Sequence, residues 1–163
     1  MLNELESLRS TNTFSIVPIP QDRRVIRCRW VLRKKYADGV LVRRKARVVI
    51  KGFEQEQGLD YFETFASVAR FSTLRALLVK VAVKDLKINH LDVDTAFLNP
   101  TLEEEVYMEL PEYFELLYPD LKPDRICLRL LKSLYGLKQA PRSWFQEVCD
   151  YFLSIRFRPL SKF

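Results

Sequence analysis

The stretch Arg24–Phe53, RVIRCRWVLRKKYADGVLVRRKARVVIKGF, decides the fold. Its two halves are rich in β-branched, aromatic and long aliphatic residues, which suit a pleated surface. Between them stands Asp38-Gly39, a pair suited to a two-residue turn with both residues at positive φ. The spacing predicts a long antiparallel hairpin with Arg and Lys on both faces and along its edges. From Pro20 to Lys51 the chain carries 12 Lys or Arg against Asp22 and Asp38 alone. From Asp85 to Asp120 the balance inverts, with ten acids against Lys87. Charge sorted in this way points to a polyanion-facing N-terminal part and a cation-holding middle.

Outward from the hairpin, Asn3–Arg9 can form a short helix. Thr13–Pro20, TFSIVPIP, alternates like an edge strand and is stopped by Pro18 and Pro20. Residues 55–70 lack a period and read as a connecting loop. Ser72 is placed to cap a helix whose apolar stripe is Leu74, Leu77, Leu78 and Val81. Lys87–Thr95 reads as a buried strand and Ala96–Pro100 as a turn. Glu104–Leu110 and Ile126–Leu131 read as further strands. Pro141 suits the first turn of a helix with Trp144, Val148, Tyr151 and Ile155 on one row, beside Phe145, Cys149 and Phe152. Arg158–Phe163 reads as the start of one more strand. The fold class predicted is α+β, an antiparallel sheet with packed helices.

Composition excludes several classes. With 163 residues, 48% of them hydrophobic, the chain can bury a real core. Its three cysteines are scattered and form no CxxC pair, against a disulfide framework and for a reducing compartment. His90 is the only histidine, so an ordinary zinc site cannot be assembled. No nucleophile-elbow motif is present, and the apolar runs fall far short of the ~20 residues a membrane span needs. The acidic, polar N-terminus is unlike a secretory signal, which predicts an intracellular, cytoplasmic protein with no membrane partner.

The acidic middle contains LDVDTAFLNP, Leu91–Pro100. On a strand Asp92 and Asp94 share a face, where two carboxylates repel unless a cation lies near. One reading is a strand end paired with nearby Lys or Arg. The other is Mg²⁺ chemistry, in which a strand-end Asp and the next carbonyl hold an ion and Phe97 lies under a nucleotide sugar. The local sequence leaves both open.

Longer blocks carry a resemblance. RWVLRKKYADG, RRKARVVIKGFEQEQGLDYFETFASV, LDVDTAFLNPTLEEEVYMELPEYF and CLRLLKSLYGLKQAPRSW stand in the order of the reverse transcriptase of copia-type long-terminal-repeat retrotransposons. The likeness runs from Phe14 to Phe157. It implies a right-hand polymerase, an RNA-directed DNA polymerase using Mg²⁺. Residues 1–13 would be an N-terminal extension, about 14–70 the basic fingers hairpin and loop, and about 71–163 a partial palm. The implied partners are an RNA template, a DNA primer or RNA–DNA hybrid, a deoxynucleoside triphosphate and the rest of a polyprotein. A complete element would sit in a cytoplasmic virus-like particle.

Residue by residue, Asp92 resembles the first catalytic, metal-binding aspartate and Val93 would lend its carbonyl. Asp94 has no such role and reads as exposed or salt-bridged. Lys45, Arg47 and Lys51 are the expected nucleotide-phosphate contacts, with Lys45 and Lys51 in one strand phase. Phe97 resembles the sugar-gate aromatic, and Gln139 a residue near the incoming nucleotide. Gly136 and Arg142 would serve the template. The sequence departs from the family where a Tyr-x-Asp-Asp pair is expected, and at Pro100, Tyr113 and FASV. The expectation is therefore a reverse transcriptase fragment inactive alone. The alternative is a non-catalytic nucleic-acid-binding remnant or pseudogene product.

Overall fold

The computed structural model describes Met1–Arg158. The expected strand beginning at Arg158 lies outside these residues. Among the described residues the helices are α1 (Leu2–Ser10), α2 (Phe71–Val83) and α3 (Ala140–Ser154). The strands are β1 (Phe14–Pro18), β2 (Val25–Ile26), β3 (Cys28–Ala37), β4 (Val40–Ile50), β5 (Tyr107–Met108) and β6 (Ile126–Leu130). The class is α+β, as the sequence predicts.

β3 and β4 form the hairpin, joined by Asp38 and Gly39 at φ 49° and 79°. Positive φ at both positions is what a type I′ turn needs, and it matches the twist of the strands it joins. The register shifts beside Lys35, so Val42 has no partner and the ladder bulges near its tip. The root of the hairpin is buried through Cys28, Val48 and Ile50, whereas the arm beyond Leu32 is exposed. The second sheet has the order β1-β6-β5-β2. β6 is antiparallel to both neighbours and β2 is parallel to β5, so this sheet is mixed rather than wholly antiparallel. β1 lies at the edge, where Pro18 can end it without breaking an inner ladder.

A single apolar cluster joins the parts. Leu5 and Leu8 of α1 meet Ile26, Val48, Ile50, Leu98, Val106, Met108, Leu128, Leu130 and Leu134. Residues 1–13, set apart in the sequence as an extension, thus pack into the shared core. At the hairpin root the Glu54 carboxylate accepts from the Arg27 backbone at 3.0 Å and from Arg27 Nε at 2.7 Å. The Arg27 side-chain hydrogen bond holds the Glu54 carboxyl below the usual carboxylate range.

Three expectations fail. α2 begins at Phe71, its cap is Arg70, and Ser72 makes no capping bond. None of α2 is buried, and Leu74, Leu77 and Leu78 are about half exposed. Lys87–Thr95 is not a buried strand: Lys87–Asp94 is exposed, Thr95 is half-buried, and the segment pairs with no described strand. Its β-propensity needs a neighbouring backbone to accept ladder bonds, and the described residues supply none. Of the rows on α3, Trp144, Phe145, Val148 and Cys149 are half-buried, whereas Tyr151 and Ile155 at its end are exposed.

Truncating Leu5 to alanine is expected to cost about 2–5 kcal/mol in urea unfolding, the range for a filled core site and far above that of a loose tail. Glu54→Gln tests the lowered carboxyl. Its stabilisation is present above the ordinary carboxylate range and lost as pH falls through the folded value. The variant should therefore melt below wild type at neutral pH and match it in acid.

Candidate nucleic-acid interface

The hairpin opposes like charges across its ladder. Arg33 faces Lys45, Lys34 faces Arg44 and Lys35 faces Arg43, three consecutive cation pairs. Each such pair destabilises a sheet by a few tenths of a kcal/mol, so a bare hairpin gains nothing from them. A bound polyanion reverses the sign. Five of these cations and Arg47 line a cavity of about 1060 Å³. These five are Arg33, Lys34, Arg43, Arg44 and Lys45; α1, Asp94, Thr95 and Tyr135 complete the wall.

Below the cations lies an aromatic stack. The Arg47 guanidinium sits over the Tyr135 ring, 5.1 Å from its centroid. Phe97 meets Tyr135 edge to face at 5.5 Å. Stacking fixes the planar guanidinium while leaving its charge available. Thr95 adopts φ 52° in the turn that follows Asp94. A β-branched residue there is strained by about 1–3 kcal/mol. The strained turn sets Asp94 and Thr95 on the cavity wall.

The structure gathers some of the residues predicted from sequence and disperses others. Lys45 and Arg47 line the cavity, and Phe97 reaches it through Tyr135. Lys51 does not line it: β4 ends at Ile50, so the strand phase shared with Lys45 is broken before Lys51. Asp92 and Val93 lie on the exposed segment outside the cavity, while Asp94 faces the cations. Arg142 pairs with Glu63 and, with Gln139, lines a separate cavity of about 520 Å³ among Glu103, Glu104, Glu147 and Asp150.

Gln139 and Gly136 occupy a lock. Gln139 is 2% exposed. Its side-chain oxygen accepts from Gln55 Nε2 at 3.0 Å, and its Nε2 donates to the Asp60 carbonyl at 2.9 Å. Gln55 in turn accepts from the Lys138 N–H at 2.8 Å. Gly136, at φ 99°, lies so close to Ile50 that a Cβ would overlap the Ile50 carbonyl, and one on Gly52 would overlap the Gly136 carbonyl. The Ile50 N–H also donates to the Tyr135 carbonyl at 2.9 Å. The root of the hairpin is thereby bolted to the turn before α3.

The Mg²⁺ implied by the resemblance has no fitting donor set here. Among the described residues no three His, Cys, Asp or Glu groups come together to hold a metal. Asp92 stands on exposed chain with Asp94 turned to the basic cavity, so no metal-dependent step follows from this geometry. Tyr135 and Thr95 escaped the sequence reading. The signal for Tyr135 was its place beside Gly136, where a forced backbone approach fixes the direction of its neighbour.

The chain is thus an α+β domain with a cationic β-ribbon beside a cavity that Tyr135 lines. The family of reverse transcriptases (RNA-dependent DNA polymerases) matches residues 11–162, and the chain belongs to it. It is 46% identical over 155 residues to the retrovirus-related Pol polyprotein from transposon TNT 1-94 of Nicotiana tabacum, covering 94% of this chain and 11% of that protein. It is 42% identical over 159 residues to those from transposons RE1 and RE2 of Arabidopsis thaliana, covering 96% of this chain and 11% of each. The chain thus spans 11% of the length of these relatives. No solved structure matches it significantly. No helix among the described residues is long and apolar enough to cross a membrane.

Gly136→Ala should destabilise by at least about 2 kcal/mol, since the added carbon meets backbone and the φ is unfavourable. Gln139→Leu should cost about 1–3 kcal/mol by leaving buried amide and carbonyl groups unpaired. Denaturant midpoints of the two variants check both values. A Gln139 variant of wild-type stability would dissolve the lock.

Proposed function

We propose that this chain is the fingers and part of the palm of a copia-type RNA-directed DNA polymerase, where it holds template, primer and nucleotide phosphates. The observation carrying this reading is the ladder of opposed cations above the cavity. Such a ladder costs stability unless a polyanion neutralises it. Lys45 and Arg47 are the proposed phosphate contacts. The Phe97–Tyr135 stack is the proposed apolar floor for a sugar or base. Gly136 and Gln139 act by fixing Tyr135 and the hairpin root, and Arg142 and Lys51 are left to the flanks of a longer template.

A second reading is favoured by the dispersed acids: alone, the chain binds nucleic acid without extending a primer. Asp92 and the Val93 carbonyl are the proposed metal-facing groups of the complete polymerase. Both lie exposed, and among the described residues no group of three possible ligands includes Asp92.

Fluorescence anisotropy with an RNA–DNA hybrid should give affinity that falls steeply with salt. Lys45→Ala and Arg47→Ala should each weaken binding and lower the salt slope by about one phosphate contact. Primer extension with Mg²⁺ should yield no incorporation by this chain. Extension abolished by Asp92→Ala would overturn the binding-only reading, and salt-independent binding would overturn the phosphate one.

A further inference from the structure

The cavity wall is not wholly cationic. Leu5 and Leu8 anchor α1 in the core, and helical spacing turns Glu4 and Ser7 to the adjoining face. Both of those residues line the basic cavity. Glu4 Oε1 is buried without a hydrogen-bond partner. That oxygen belongs to a cavity whose wall also carries six Lys and Arg, and of these Arg47 and Lys45 act on the carboxyl.

We propose that Glu4 is a built-in competitor for the polyanion: its carboxylate shares the cavity with Lys45 and Arg47, so phosphate enters only as Glu4 is neutralised or displaced. This rests on the phosphate-binding reading of the cavity. Burial raises the Glu4 carboxyl above its ordinary value, partly offset by the Val48 backbone, then by Arg47, Lys45 and the chain's amino group. Other groups facing the cavity are Arg33, Lys34, Arg43 and Arg44 from the hairpin and Asp94 from the opposite wall. Glu4 is neutral at low pH and ionises as pH rises through its raised value. Its opposition to an incoming phosphate is therefore absent in acid and grows as pH rises through that value.

The opposition also couples α1 to the ligand. Leu5 and Leu8 keep the helix in place, so displacement of the carboxylate is a side-chain movement rather than an undocking of the helix. Gln at this position keeps the shape and removes the charge.

The test is anisotropy of a short oligothymidylate, whose bases and phosphodiesters carry fixed charge over this range. Wild type, Glu4→Gln, Glu4→Ala, Asp94→Asn and Lys45→Gln are compared from acid to neutral pH. Both Glu4 variants should bind about tenfold tighter than wild type at neutral pH and low salt, a single charge being removed at close range. The gap should close in acid and persist in the Asp94→Asn background. If Lys45→Gln weakens binding while both Glu4 variants match or fall below wild type at neutral pH, the competitor is refuted and the phosphate reading stands. If Lys45→Gln changes nothing, the phosphate reading fails and the competitor with it.

Discussion

Two glycines meet where no other residue fits, and the geometry of the cavity follows from that approach. Gly52 lies at the root of the hairpin and Gly136 in the turn before α3, each against a carbonyl that a Cβ would strike. Around them Gln55, Asp60 and Gln139 close a buried set of hydrogen bonds. Neutral hydrogen bonds add little net stability, but leaving any of these amides unmet costs the full desolvation of the group. The arrangement is thus tolerant of nothing except its own partners. Through it Tyr135 is held beneath Arg47, and Phe97 against Tyr135. The cation that stacks and the ring beneath it come from segments joined by this lock and by the core around Val48, Ile50 and Leu134.

The hairpin shows the opposite economy. Its root is buried, but its arm exposes Leu32, Tyr36, Val40 and Val42 among cations that repel one another across the ladder. Nothing in the core demands those charges. They lower the stability of the arm and raise its attraction for an extended anion, and the local bulge near the tip lets the ribbon curve. Most of the acids lie elsewhere: Glu103, Glu104, Glu147 and Asp150 share a second cavity with Arg142, while Asp94 lines the basic one and Glu105 pairs with Arg23.

The hairpin was legible in the sequence because its signals are local. Asp38-Gly39 sets the turn, and the β-rich runs on either side supply the strands. α1, β1 and the Pro141-led start of α3 were legible for the same reason. Lys87–Thr95 was misread because a strand is completed by its neighbour, and no propensity reports whether the neighbour is there. The same limit applies to the stripe on α2, whose period is right and whose covering surface is not among the described residues. In the site, Lys45 and Arg47, singled out through the resemblance, both line the cavity. Lys51 could not be excluded, since the end of β4 is fixed by the tertiary contact of Ile50 with Tyr135. Glu4 carried no sequence signal at all: a lone acid on a short helix becomes notable only when folding lays it against cations.

The sheet order constrains how the molecule is made. β1 pairs along its length with β6, Phe14 opposite Leu130 and Pro18 opposite Ile126. A chain emerging from the ribosome therefore holds β1 unpaired while the hairpin, which needs only its own turn, can close early. Non-local pairing of this kind slows folding and prolongs the exposure of an open edge. The basic ribbon then forms before the core that aims it, and its charges stand free of the cavity until β1 finds β6.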